Sequence, residues 1–582
     1  MKIFDRMKKI LSISLKAAAM LALAVLLTSC EGFLKEKSYD FVQPDSIEDS
    51  DKGAKQLLVG VYNQIISMFN SNTLPMTWVY DEDYLTGPSW AFGYLGAGNY
   101  LNDNYIPNYW TGLYTLIHRA NYSILRIDGM ENVTPEIKAD YIGEIKFLKA
   151  WSYFMLVRAF GPVPLRKESI SETGDLNVPR SPVMDIYSYI LELLDESMEN
   201  CFKNSNPLYE KGFVSAGTAA GMKVKVLATI GSAAMPAGSE IWVPGGVPFV
   251  KNGADKAYTD PQKVKHQKEL VAGFEGVDYK EYYEKAYKLA EEVMSGDWGA
   301  YSLVDYENLW GISNAYGPEE LWSVRATTGD TRYCEWFSYH ISGIAVSNSD
   351  DRIYDGMWYG GRDHWYKLAE AKDLRVLEGV RHRWKRVWDD GISQYYPNNI
   401  EYNSKVANHE PPYDDGEIYV CPQFDVYYLA YPTKYISRTD KTDTHGDAFW
   451  PMLRYADIVL LYAEAYAECN GTADGKALEA LNLVRRRSNA TDYSLTGIAN
   501  VSDIVDFRST VLRERSLELF CEGDRRWDLV RWGIFVPVMS AIGGQDEIGV
   551  NKMRYERHKL FPLPKSETDA NASITENNPG WD

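Results

Sequence analysis

The sequence predicts a mostly α-helical fold, with paired helices at both ends of the chain around a large irregular, loop-rich insertion. Three observations carry that expectation. Apolar residues recur near a 3.6-residue period in blocks before residue 235 and after residue 450. Between Gly299 and Trp450 the periodicity is lost and only short strand-like pieces remain. Aromatic residues, 17 Trp and 42 Tyr among 582 residues, are abundant outside any helical repeat. Rings so placed either fill a large core or face a ligand.

The first thirty residues are read as an export signal. Lys2, Arg6, Lys8, Lys9 and Lys16 form a basic start, Ala17 to Leu27 is unbroken apolar, and Leu27-Thr28-Ser29-Cys30 follows at once. The apolar run falls short of the roughly 20 residues that span a bilayer. Leu-Thr-Ser-Cys resembles a bacterial lipobox, so residues 1–29 are expected to be removed and Cys30 acylated. Acyl chains contribute about 0.8 kcal/mol per buried methylene and would hold the body on a membrane.

Residues 30–50 read as a polar tether. A helical region is expected over 51–235, with helices at Ala54–Phe69, Tyr109–Ile127, Ile142–Phe160, Pro182–Met198 and Ser215–Gly231. Gly161-Pro162 stops the third of these. Asn70 to Asn108, between the first two, is non-periodic and dense in Gly, Asn, Pro and aromatics. Residues 236–450 are expected to form an irregular ligand-binding region containing one helix, Tyr282–Met294, and strand-like pieces at Glu320–Arg325 and Ile418–Val420. Helices resume over 451–582, at Met452–Glu468, Lys476–Arg487 and Val505–Phe520. Helix pairs of this length suggest a tetratricopeptide-like stack, although the consensus spacing of that repeat is not cleanly present.

Charge and cysteine content exclude several classes. The formal charge is −20, and the leader's five basic residues and Asp5 contribute +4, leaving −24 after cleavage. No basic run exists to pair with phosphates, so nucleic acid is not an expected partner. Cys201, Cys334, Cys421, Cys469 and Cys521 are scattered and never in CxxC spacing, which argues against a disulfide framework or a zinc site. No GxSxG, Walker A or HExxH motif occurs. Asp81-Glu82-Asp83 is the one acidic cluster that invites a glycosidase reading, since that chemistry needs two carboxyls across a sugar. An acidic loop is the simpler account. No cofactor is expected, and a structural Ca²⁺ has no ligand set readable from the chain.

Four segments carry a resemblance. Glu144–Arg158 with Phe160-Gly-Pro-Val-Pro164, Arg454–Ala465, Arg513–Gly523 with Arg526–Gly533, and Leu560–Pro564 ending at Asn577–Trp581 resemble, in order, the signatures of the SusD/RagB family. With the lipobox they span nearly the whole mature chain. The resemblance implies four tetratricopeptide-like helix pairs as scaffold and an irregular region packed on them. It also implies an outer-membrane lipoprotein facing the exterior, which captures glycans and acts as a lid on a SusC-like TonB-dependent transporter. Known members bind rather than catalyse. A surface-anchored glycoside hydrolase, and a lid or adhesin for a peptide or other nutrient, are the alternative readings.

Glu514, Arg515, Glu518, Glu522, Arg525, Arg526, Asp528 and Arg531 fall largely at i, i+3 or i+4 spacing and are expected to pair along a helix. Sugar capture needs other parts: aromatic faces for the C–H surface of a pyranose, and amides, carboxylates or Arg for its hydroxyl rim. Two non-periodic segments supply them. The first offers Trp78, Asp83, Trp90, Tyr94, Asn99 and Tyr100. The second offers Tyr333, Trp336, Trp358 and Tyr359, with Trp322 and Arg325 ahead of them. The family resemblance implies ligand loops at these two places. If they meet above the helices, the rings form one platform.

Overall fold

The computed structural model describes residues 47–581, apart from 254, 329–336, 349, 388–392, 398–418, 421–427, 437–438 and 445. Cys30, Tyr333 and Trp336 lie outside the described residues. Helices dominate. The first, α1 (Asp51–Asn70), starts where the Ser50 hydroxyl accepts the Gly53 N–H at 3.2 Å, and it buries Leu57, Leu58, Val61, Ile65 and Met68. Two short helices, α2 (Thr73–Val79) and α3 (Ser89–Gly96), lie in the segment that sequence leaves non-periodic.

Next come α4 (Tyr105–Asp128), α5 (Pro135–Phe160), α6 (Val183–Asn200), α7 (Ala216–Ala234) and α8 (Tyr279–Ser295). After the insertion follow α9 (Tyr455–Asn470), α10 (Gly475–Arg487), α11 (Ile504–Glu518) and α12 (Arg525–Arg531). Successive helices from α4 to α10 pack pairwise, each against the next in the chain, and α11 closes on α9. This is the expected helical-pair scaffold, with ends displaced by a few residues. Every α7 residue except Lys223 is buried, because its small side chains let neighbours approach closely. A Cβ on Gly221 would lie 2.6 Å from Leu321, and one on Gly231 2.9 Å from Tyr283. No helix among the described residues is long and apolar enough to cross a membrane.

Between α7 and α9 the chain builds short strands. Glu240–Gly245 pairs antiparallel with Gln262–Gln267, an element that sequence periodicity does not announce. A mixed five-stranded sheet runs, edge to edge, from Tyr419–Val420 through Ser393–Tyr395, Arg383–Arg386 and Asp350–Asp355 to Ile344–Ser347. Glu320–Val324 pairs antiparallel with Trp450–Arg454, so the two ends of the irregular region are zipped together. A further antiparallel pair, Leu85–Thr86 with Gly360–Gly361, joins the N-terminal segment to the insertion. Most of the core is one continuous apolar cluster reaching from Ala54 to Trp581. At its centre Trp151 meets Trp78 and Trp322 edge-on, at centroid distances of 6.3 and 5.6 Å.

Candidate ligand-binding site

The Leu85–Gly361 ladder decides where the site forms, because it draws together loops that are some 270 residues apart. Gly87 lies just beyond it. A Cβ there would stand 2.5 Å from the Trp358 carbonyl oxygen and 2.6 Å from the Tyr359 ring, so only glycine lets the loops touch. From Pro88 the chain enters α3, which Gly93 interrupts at φ 68, ψ −166. The side chains of α3 divide between two faces: Phe92 and Leu95 are buried, whereas Trp90 and Tyr94 are 64% and 56% exposed.

On the facing loop, Gly356 (φ 80) and Met357 (φ 55) are both left-handed. A Cβ on Gly356 would lie 2.0 Å from the Tyr339 carbonyl oxygen, so the loop presses directly on that residue. Backbone N–H groups of Met357 and Trp358 donate to the Tyr339 and His340 carbonyls at 3.0 and 2.7 Å. Trp358, half-buried, then receives the Trp90 ring edge-on at 5.1 Å and 72°. Tyr339 meets Trp358 at 5.0 Å and 76°, and His340 lies 4.9 Å from it. The Tyr339 hydroxyl donates to Asp355 at 3.2 Å. Burial pushes the His340 imidazole down to about 4, so it is a neutral ring at physiological pH. Asn99 is exposed beside Tyr94, its N–H donating to the Tyr94 carbonyl at 2.8 Å, and its side-chain oxygen accepts from Asn102 at 2.8 Å. Flat rings next to amides and a carboxylate make a surface suited to stacking and hydroxyl contacts. Tyr339 and His340 carry no sequence signal of this role, since they sit in a one-turn helix, Phe337–Ile341.

Four expected contact residues are corrected by burial. Trp78 packs against Phe69, Trp151 and Trp450, and its indole N–H donates to the Tyr109 hydroxyl at 3.1 Å; it is a core ring. Tyr359 lies beneath the platform, 4.7 Å from Tyr80, with its hydroxyl donating to the Ala91 carbonyl at 2.7 Å. Tyr100 is buried with its hydroxyl on Asp81. Asp83 accepts both arms of Arg525 at 2.7 Å, 2% exposed. None of the four reaches solvent to touch a ligand first.

The same geometry removes the acidic cluster from hydrolytic candidacy. Burial pushes the Asp81 carboxyl up, but Arg554 and Arg526 outweigh it and hold it below the usual range. Between the two arginine-bound aspartates, Glu82 is pushed up to about 8 by burial and then by Asp83, and its Oε1 has no hydrogen-bond partner among the described residues. Lys552, which donates to the Glu82 and Leu85 carbonyls at 3.1 and 2.7 Å, is lowered to about 8 by burial. No group of three or more His, Cys, Asp or Glu among the described residues is placed to hold a metal ion.

Comparison with known proteins places the chain. Residues 319–581 match the model of the SusD family, and residues 32–214 match one described as starch-binding and associating with the outer membrane. The chain belongs to the SusD family. SusD-like protein P25 of Formosa agariphila is 21% identical over 94% of this chain and 95% of its own. Among solved structures, a SusD homolog from Bacteroides thetaiotaomicron superposes with a TM-score of 0.70 at 22% identity, covering 92% of this chain and 98% of that one. Surface glycan-binding protein A from Bacteroides uniformis gives 0.63 at 18% identity, over 91% and 99%.

In this SusD-family chain the charged signature residues form a buried lattice, and most of its pairs join different elements rather than successive turns of one helix. Arg454, at the start of α9, reaches Glu319, Glu518 and Glu522 at 2.6, 2.9 and 2.8 Å. Arg375 bridges Asp373 and Glu514 at 2.6 Å each. Arg515 joins Asp457 and Asp528 at 2.5 and 2.8 Å, and Arg531 adds Glu464. Only Arg531–Asp528, at 2.9 Å, has the i, i+3 spacing expected along a helix. Each of these charges is a few per cent exposed at most, so the lattice ties α9, α11 and α12 to the insertion and is structural.

Proposed function

We propose that the protein is a lipid-anchored capture protein that binds glycan on the Trp90–Trp358–Tyr339 platform and passes it to a SusC-like TonB-dependent transporter. The observation that carries this reading is the meeting of Trp90 and Trp358 at 5.1 Å, with Trp90 64% exposed. A large aromatic surface left in water on a rigid, ladder-fixed support is costly unless something covers it. The family's starch-binding, outer-membrane description and the surface glycan-binding relative from Bacteroides uniformis support a sugar as that cover. Capture is non-covalent, each ring contributing about 1–3 kcal/mol by analogy with base stacking on aromatic side chains. The candidate hydrolytic carboxylates, Asp81 and Asp83, are committed to arginines.

A glycan array probed with the purified protein and with Trp90→Ala tests the reading. Glycan signals that fall with the substitution support it, and an array without signal refutes it. Membrane attachment rests on Cys30. Palmitate labelling of cells should disappear from the Cys30→Ala protein, and label that persists would refute acylation at this position.

A further inference from the structure

Away from the platform, two adjoining cavities of about 200 and 180 Å³ share Gly212, Tyr316, Trp322 and Ser323 as walls. Together they reach the lower end of the range for small-molecule sites, about 300–1,000 Å³. None of Trp90, Tyr339 or Trp358 lines them.

The backbone at Tyr316 singles the cleft out. Its φ is 57, a left-handed conformation that a bulky aromatic residue rarely adopts without strain. Strain of this kind persists where the surroundings over-determine it, and here they do. The Tyr316 N–H donates to Glu320 Oε2 at 3.1 Å. The Arg325 guanidinium lies 4.6 Å from the centre of the ring. Gly212, itself at φ 94, would bring a Cβ to 2.8 Å from the same ring. Yet Tyr316 remains 43% exposed, so the strain is not repaid by burying it. The chain holds a ring in a fixed pose at the mouth of a cavity, which is the arrangement of a ligand clamp.

The polar groups narrow the ligand. Glu320 is bonded to Ser323 and to Arg325, so these two charges offset each other, and Lys211 adds a further charge to the lining. A hydroxylated ring can bond to that pair without breaking it. We propose that this cleft is a second binding site, taking one or two sugar units in the paired cavities that Tyr316, Glu320 and Arg325 line. The proposal is independent of the platform, because its walls come from other loops.

The test uses calorimetric titration of the purified protein with glucose, galactose, mannose, xylose, N-acetylglucosamine and maltose, alongside thermal melts. Trp90→Ala isolates the cleft from the platform. Tyr316→Gly removes the ring and relieves the backbone, and Tyr316→Asn removes it while tolerating the left-handed φ. At least one of these sugars is expected to bind the parent and Trp90→Ala alike, and to bind both Tyr316 variants about tenfold more weakly, with Tm equal to or above the parent's. The proposal is overturned if none of the sugars binds, if binding is lost in Trp90→Ala, or if it survives both Tyr316 variants. Loss of array signal in Trp90→Ala bears on the platform alone, so the two readings fail separately.

Discussion

Replacing Trp90 by alanine separates ligand contact from structural support, because the ring touches little of the protein. Among the described residues its aromatic partner is Trp358, at 5.1 Å and 72°. Such a pair is worth about 0.5–1.5 kcal/mol, and with the Trp90 ring 64% exposed the lower end applies. A loss near 0.5 kcal/mol moves Tm by less than about 2 °C in a chain of this size. If a sugar face covers the ring, the same substitution removes about 1–3 kcal/mol of binding, or roughly fivefold to more than a hundredfold in Kd. Trp78→Ala is the reverse case. Trp78 is 5% exposed against Phe69, Trp151 and Trp450, so truncation costs about 3–5 kcal/mol of stability. Calorimetric titration with a glycan taken from the array, beside thermal melts of both variants, measures the contrast. The platform is refuted if Trp90→Ala keeps the parent's affinity, or melts as early as Trp78→Ala.

Gly87→Ala puts a Cβ 2.5 Å from the Trp358 carbonyl oxygen. It should spread the two loops and weaken glycan binding without removing any ring; unchanged affinity in the same titration would show that loop closure is irrelevant. Glu82 gives a pH signature. Its carboxyl is raised from 4.5 to about 8 by burial and Asp83, so across that window the folded chain holds a proton that the unfolded chain has lost, and stability falls as pH rises. Glu82→Gln removes the loss. Its stability relative to the parent should therefore grow from about pH 5 to about pH 8 in denaturant titrations, a tenfold change in proton affinity being about 1.4 kcal/mol; a constant difference would contradict the assignment. Arg454→Met leaves Glu319, Glu518 and Glu522 short of their shared cation. It should cost about 3–5 kcal/mol, read from the shift in denaturation midpoint, and a loss under about 1 kcal/mol would argue against a cooperative lattice.

The scaffold was legible in the sequence because helices announce themselves by period. Leu57, Leu58, Val61, Ile65 and Met68 face the core as spaced, and Gly161-Pro162 ends α5 at Phe160. Where a helix is buried on every side, as α7 is, periodicity still marks the element but no longer says which face matters. The site is harder for a different reason. Trp78 and Trp90 lie twelve residues apart in one aromatic, non-periodic stretch, and nothing local distinguishes them. Trp78 is buried because α2 packs against α4 and the distant Trp450 ring. Trp90 is exposed because it lies on the side of α3 away from the buried Phe92 and Leu95. Those causes are long-range packing and the way α3 is set against the core, and neither is a property of composition. The charged signatures misled for a related reason. Residues three or four apart do face one side of a helix, but Arg515, Glu518 and Glu522 find nearer partners on other elements, and a buried charge pairs with whatever lies opposite it in space. Reading sequence period therefore identifies what the scaffold is made of. Deciding which rings meet a ligand requires knowing which loops the Leu85–Gly361 ladder brings together.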